Sequence, residues 1–162
     1  MSQAEKDRGI VIPHYLTPDH LLGFVEALSS LGGRIDSMFL GDILGEKVDV
    51  LPHVIDVAEA LGIVTVGDGG ELILTELGEK IVKGNVKIVK KLLRENAKKI
   101  EPLKSILDLL KEKKKIPVEE FERVLSKFYY LHTSEAKINI LQWGAFLGLF
   151  KMDANDKYVI ML

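Results

Sequence analysis

The chain has no cysteine among its 162 residues, which excludes disulfide staples and thiolate chemistry. It also lacks any apolar run near the ~18–20 residues of a membrane span, and its N-terminus is polar. No membrane insertion is expected, and a cytoplasmic location is. Positive charge is missing from the first half: residues 1–79 carry four Lys/Arg against fourteen Asp/Glu. The cations gather in residues 80–115, with thirteen Lys/Arg against four Asp/Glu. Residues 116–162 are nearly balanced, with five against six, so the net charge of −2 hides a strong segregation. Such segregation can steer a partner of opposite charge, or let the two regions attract each other within the fold or across a dimer.

What is present is apolar substance in a helical rhythm. Hydrophobic residues make up 47 % of the chain, enough for a core and too many for disorder. Thr17, Pro18 and Asp19 suit the N-cap, first position and first turn of a helix. Leu21, Leu22, Val25, Leu28 and Leu31 then keep helical spacing up to Gly32-Gly33. Asp36 or Ser37 is expected to open a short second helix containing Met38, Phe39, Leu40, Ile43 and Leu44, closed by Gly45. A third helix runs from about Val50 to Leu61 and stops at Gly62. Ile63 to Val66, the turn Gly67-Asp68-Gly69-Gly70 and Leu72-Ile73-Leu74 form a β-hairpin.

Thr75 caps a helix ending near Lys83, and Asn85 caps the next. There Val89, Leu92, Leu93 and Ile100 form an apolar stripe, while Lys87, Lys90, Lys91, Arg94, Lys98 and Lys99 take the other faces. Pro102 forces a break near Ile100. Helices are then expected over 102–114, 117–129 and 134–150, the last capped by Thr133 or Ser134, with a hairpin over 151–162. Helices followed by a ribbon thus occur twice. The expected fold is mainly α with short β-hairpins, as tandem winged-helix-like units joined by connecting helices. The divisions are an N-terminal tail (1–16), a first unit (17–75), connecting helices (76–100) and a second unit (101–162). Ile10-Val11-Ile12 within the tail reads as an edge strand or a docked extended segment.

Winged helices commonly read DNA, but the reading positions here are poorly suited. The helix over 50–61 offers His53, Asp56 and Glu59 without a cation, and its phosphate-side neighbours Asp42, Glu46 and Asp49 would be repelled. The equivalent helix of the second unit offers Lys137, Asn139 and Gln142 among apolar residues. Sequence-specific nucleic-acid binding is therefore disfavoured.

Catalytic signals are also absent. His14, His20, His53 and His132 are scattered, with no His-x3-His or Glu-x2-His pair, so no metal site is expected. Asp42 with Glu46, and Glu119-Glu120, read as solvated helix faces rather than acid/base dyads. There is no Gly-x-Ser-x-Gly elbow. The stretch from Gly41 to Lys47 has the wrong spacing for a phosphate loop and no Ser or Thr after the lysine. Gly144 and Gly148 read as small residues that let another helix approach. No catalytic, metal-binding or cofactor-binding residue is assigned.

Several stretches together resemble the C-terminal AAA-associated domain, a module found behind the ATPase subunits of nitrate/sulfonate/taurine-type ABC transporters. They are Leu21-Leu22-Gly23-Phe24-Val25-Glu26-Ala27-Leu28, Val48-Asp49-Val50-Leu51-Pro52, Ala58-Glu59-Ala60-Leu61-Gly62 and Leu74-Thr75-Glu76-Leu77-Gly78. The run Leu141-Gln142-Trp143-Gly144-Ala145-Phe146-Leu147-Gly148-Leu149-Phe150, followed by Asp153, completes the set in order over roughly residues 18–155. The sequence departs from the family at Ala145 and Gly148, where relatives carry a charged pair. The resemblance implies a free-standing, non-enzymatic accessory or regulatory module that meets a protein, either an ABC-type ATPase or a second copy of itself. Lys87, Lys90, Lys91, Arg94 and Lys98 are the expected partner-binding residues. The alternatives are a DNA-binding transcription regulator and a small-molecule sensor with a pocket near Trp143.

Overall fold

The computed structural model describes residues 9–36, 38–39, 49–84 and 86–162. Among these, seven helices alternate with six short strands. The order is α1 (Pro18–Ser30), β1 (Arg34–Asp36), α2 (Leu51–Ala60), β2 (Val64–Val66), β3 (Glu71–Leu74), α3 (Glu76–Val82) and α4 (Val86–Ala97). It continues with α5 (Leu103–Lys113), β4 (Lys115–Pro117), α6 (Val118–Tyr129), α7 (Thr133–Leu147), β5 (Phe150–Met152) and β6 (Tyr158–Met161). The chain is mainly α with small antiparallel sheets, as its periodicity implies. Most of the expected short second helix, with Asp42, Glu46 and the stretch from Gly41 to Lys47, lies outside the described residues, as does the cap at Asn85.

The chain forms two compact units. One comprises residues 19–96, and the other joins the N-terminal residues up to Pro18 to residues 97–162. Each unit holds one three-stranded antiparallel sheet, ordered β1-β3-β2 in one and β4-β6-β5 in the other. The third strand of each sheet comes from a three-residue stretch ahead of the hairpin. Ile35 pairs with Leu72, and Ile116 with Val159. Such short strands carry too few alternations to announce themselves in sequence, and both β1 and β4 were missed there.

In the unit of residues 19–96, α1 buries Leu21, Phe24, Val25 and Leu28, and α2 buries Leu51, Val54, Val57 and Ala58. The end of α2 is bound from two sides. Thr75 Oγ1 donates to the Gly62 carbonyl at 2.6 Å and accepts from Gly78 N at 3.1 Å, so one hydroxyl ties α2 to α3. Asn96 Nδ2, from α4, donates to the Leu61 carbonyl at 2.8 Å. These bonds satisfy carbonyls that a helix end otherwise leaves unpaired. On α4, Val89, Leu93 and Ala97 are buried, as is Ile100 beyond it, but Leu92 is 45 % exposed. Leu92 sits off the stripe by most of a quarter turn, so its expected inward place is corrected.

In the other unit, α5, α6 and α7 enclose Ile106, Leu110, Phe121, Leu125, Ile140 and Trp143, with Phe150 and Val159 from the sheet. Ile138 is 61 % exposed, because the buried positions Ala136, Asn139, Ile140, Trp143 and Leu147 place it on the opposite side of α7. Helix α7 ends with Gly148 in the left-handed conformation at φ +69°, and Leu149 N donates back to the Gly144 carbonyl at 2.8 Å. This six-to-one closure is the glycine-dependent helix stop. Gly144 permits a close approach, but to the Phe150 ring rather than to another helix. Because β5 begins two residues after the stop, the chain folds Phe150 back over the last turn of α7.

The hairpin β5–β6 turns at Asp153, whose Oδ1 accepts from Lys157 N at 2.9 Å and Tyr158 N at 3.2 Å. Desolvation works to raise the Asp153 pKa, but the backbone donors of Lys157, Tyr158 and Asn155 and the nearby Lys115 charge outweigh it and hold it below the ordinary carboxylate value. A lowered folded-state pKa stabilises the fold above the unfolded carboxylate range, and that contribution is lost as pH falls through the folded value. Asp153→Asn should therefore flatten the acid limb of the unfolding-midpoint curve below about pH 4, as followed by circular dichroism. A second expectation concerns two of the helical glycines. A Cβ on Gly144 would sit 2.5 Å from Phe150 Cδ1, so Gly144→Ala should cost about 1–3 kcal/mol in urea unfolding. Gly23 in α1 has nothing within 4 Å of that position, and Gly23→Ala should gain about 0.5–1 kcal/mol.

Candidate functional site

Two features of the surface carry chemistry. The first is the cationic side of α4. With 3.6 residues per turn, Lys87, Lys90, Lys91 and Arg94 fall within an arc of about 100°, beside the buried stripe of Val89, Leu93 and Ala97. Lys98 follows directly after the helix end. Lys87 and Lys91 are exposed, while Lys90, Arg94 and Lys98 are half-buried. Lys87, Lys91, exposed Leu92 and Glu95 line a shallow hollow of 510 Å³. Of the five expected residues, four therefore share one helix face and the fifth adjoins it.

The surfaces that a winged helix would turn to nucleic acid are different. On α2, His53, Asp56 and Glu59 are exposed and no cation accompanies them. Burial raises the Asp56 pKa, partly countered by His53. On α7, Asn139 is buried and its Nδ2 donates to the His14 carbonyl at 2.6 Å. Lys137 Nζ is held by Glu122 Oε1 at 2.8 Å. Two of the three polar residues that could have met bases are thus engaged within the unit.

The second feature is the N-terminal segment, seated on the unit of residues 97–162. Ile12 N donates to the Glu101 carbonyl at 2.9 Å, and Glu101 N to the Ile10 carbonyl at 2.8 Å. Ile12 and Leu16 are buried. Three alternate carbonyls of the segment then each receive a side chain. Tyr129 Oη donates to Ile12 at 2.5 Å, Asn139 Nδ2 to His14 at 2.6 Å and Trp143 Nε1 to Leu16 at 2.9 Å. Burial, and secondarily the charge of Glu101, push the Tyr129 pKa far above its ordinary value, so the phenol stays a donor. Trp143 is only 1 % exposed and its single donor is taken, which leaves it no polar handle for a ligand.

This docking delivers His14 to the start of α7. The rings of His14 and His132 stack with centroids 3.9 Å apart and planes within 3°. His14 Nδ1 lies 2.9 Å from Glu135 Oε2. One donor atom from each of His14, His132 and Glu135 lies within 4.8 Å of the other two. His132 is the residue before α7 and Glu135 stands in its first turn. Sequence reasoning missed this cluster. The available signal was the spacing of His132 and Glu135, three apart across a helix start, and it needed His14 from 118 residues away to acquire meaning.

The architecture defines a mainly helical class with two helix-and-ribbon units, in which no described helix is long and apolar enough to cross a membrane. Within that class, a family model for the C-terminal AAA-associated domain matches residues 38–153, and the chain belongs to this family. No curated protein and no solved structure matches the chain.

The three carbonyl clasps generate a direct expectation. Tyr129→Phe leaves the Ile12 carbonyl without its donor inside the fold and should cost about 1–3 kcal/mol. Trp143→Phe should cost at least as much, since it also leaves a gap in a packed core. Limited proteolysis should then cut within residues 9–16 faster than in the wild-type chain.

Proposed function

We propose that this protein is a non-catalytic accessory and regulatory module that binds a protein, foremost an ABC-type ATPase subunit. It would be built from winged-helix-like units at 17–75 and 101–162, used for gripping polypeptide rather than DNA. Membership of the AAA-associated family supplies the context. The observation that carries the reading further is the cationic face of α4, whose exposed Lys87 and Lys91 share one shallow hollow with exposed Leu92 and with Glu95. Cations to one side of an exposed leucine suit a partner surface with acidic residues beside an apolar spot. An acidic patch on a second copy of this chain is the other occupant in keeping with its charge segregation.

DNA is the weaker reading. Exposed Asp56 and Glu59 on α2 would face phosphates, and the engaged Asn139 and Lys137 leave little on α7 to address base edges.

The test is an affinity measurement against a purified ABC-type ATPase subunit from the same cell, at about 50 and 300 mM salt. Binding should weaken at the higher salt and fall at least tenfold in the Lys87→Glu/Lys91→Glu variant, while ATP hydrolysis by the partner changes on addition of the wild-type chain. Sedimentation at both salts reads self-association in parallel. Absence of both ATPase binding and self-association, or binding indifferent to the charge reversal, would overturn the proposal.

A further inference from the structure

His14, His132 and Glu135 bring two imidazoles and a carboxylate together beside the start of α7, with one donor atom of each within 4.8 Å of the others. Two imidazoles with one carboxylate are a donor set for divalent transition metals such as zinc, where soft-acid and hard-acid preferences both are met. Such a set leaves one or more positions for water. The donors come from separate parts of the chain, so their meeting is a product of folding rather than of local sequence.

The supports of the three residues differ in a useful way. His14 is half-buried, lies between the buried anchors Ile12 and Leu16, and has its carbonyl held by Asn139 at 2.6 Å. It is the fixed ligand. His132 and Glu135 are exposed and can turn. In a tetrahedral site with bonds of about 2.0–2.1 Å, donor atoms stand about 3.4 Å apart. The His14–Glu135 pair, now at 2.9 Å, must open by roughly half an ångström on that geometry. The separations that involve His132 are within 4.8 Å, and a turn of its exposed ring can adjust them. These adjustments fall on side chains at the surface.

Electrostatics sets one opposing term. A cation beside a helix N-terminus meets a partial positive charge of about half a unit. Glu135 brings a full negative charge to the same place, and Lys137 next to it is paired with Glu122. The local balance therefore leaves room for a divalent ion.

We propose that His14, His132 and Glu135 form a binding site for a divalent transition metal of the zinc class, which clips the N-terminal segment onto the turn between α6 and α7. The ion would join residue 14 to residues 132 and 135, and so add to the Asn139 clasp on the His14 carbonyl and to the His14–Glu135 contact. Binding requires neutral imidazoles, so it weakens in mild acid.

The experiment uses the full chain without an affinity tag, stripped with chelator and titrated with Co²⁺ and with Zn²⁺. One equivalent of Co²⁺ should develop visible d–d bands that saturate at one metal per chain, and Zn²⁺ should displace it. Zinc at a hundredfold excess over its Kd should raise the unfolding midpoint by about 5 °C or more. His132→Ala and Glu135→Gln, both at exposed positions, should fold with the metal-free midpoint of the wild-type chain yet lose at least tenfold in affinity. His14→Ala should lose the site altogether. His20→Ala and His53→Ala should bind as the wild type does. The proposal fails if no stoichiometric site is found, or if affinity survives both His132→Ala and Glu135→Gln. It also fails if removing His20 or His53 weakens binding as much as removing His132.

Discussion

The C-terminal helices close over a piece of chain that precedes them by about a hundred residues, and three hydrogen bonds make that closure specific. Tyr129, Asn139 and Trp143 are each positioned by helix packing so that a donor meets a backbone carbonyl of Ile12, His14 or Leu16. A buried carbonyl without a donor is costly, and so is a buried phenol, amide or indole without an acceptor. Each clasp therefore satisfies two groups that would otherwise oppose folding. Among the described residues no buried side-chain nitrogen or oxygen lacks a partner, and these three bonds are a large part of the reason in this unit. The clasps also determine where His14 sits, and through it the histidine–carboxylate cluster.

The same sheet order appears in both units, and the physical cause is shared. A helix stop at Gly62 or Gly148 turns the chain directly into a hairpin. The hairpin's second strand then recruits a three-residue stretch from before the preceding helix, so that neither ribbon stands as an isolated pair. Two strands alone are marginal in water, and a third strand with a packed face changes that. The proposed accessory role rests on family membership and on the cationic face of α4.

Much of this was legible in the residues. Helix boundaries at Pro18, Thr75, Pro102 and Pro117 followed from capping and proline chemistry, which act within a few residues. Both hairpins followed from turn residues between short apolar runs. The family resemblance was visible in ordered motifs from Leu21 to Phe150. What stayed hidden depended on distance along the chain or on exact angular position. Leu92 entered an apolar stripe because it is apolar, although the helical angle turns it outward. Ile10-Val11-Ile12 could be an edge strand or a docked segment, and the answer lay with Tyr129 and Glu101. The His14–His132–Glu135 cluster was invisible because no local spacing joins residue 14 to residue 132. On α4 the cations were legible as a run, and the helix sorted four of them onto one face.

The central claim is that the N-terminal segment is a structural part of the unit formed by residues 97–162. Trp143 is the only tryptophan in the chain and sits under that segment, so it reports on the claim without interference. The decisive measurement is its fluorescence through urea unfolding, for the full chain and for a chain lacking residues 2–16. The account predicts that the shortened chain emits from a water-exposed indole in the absence of urea and loses the cooperative transition seen at Trp143. A shortened chain with the same buried emission and the same transition midpoint would contradict it.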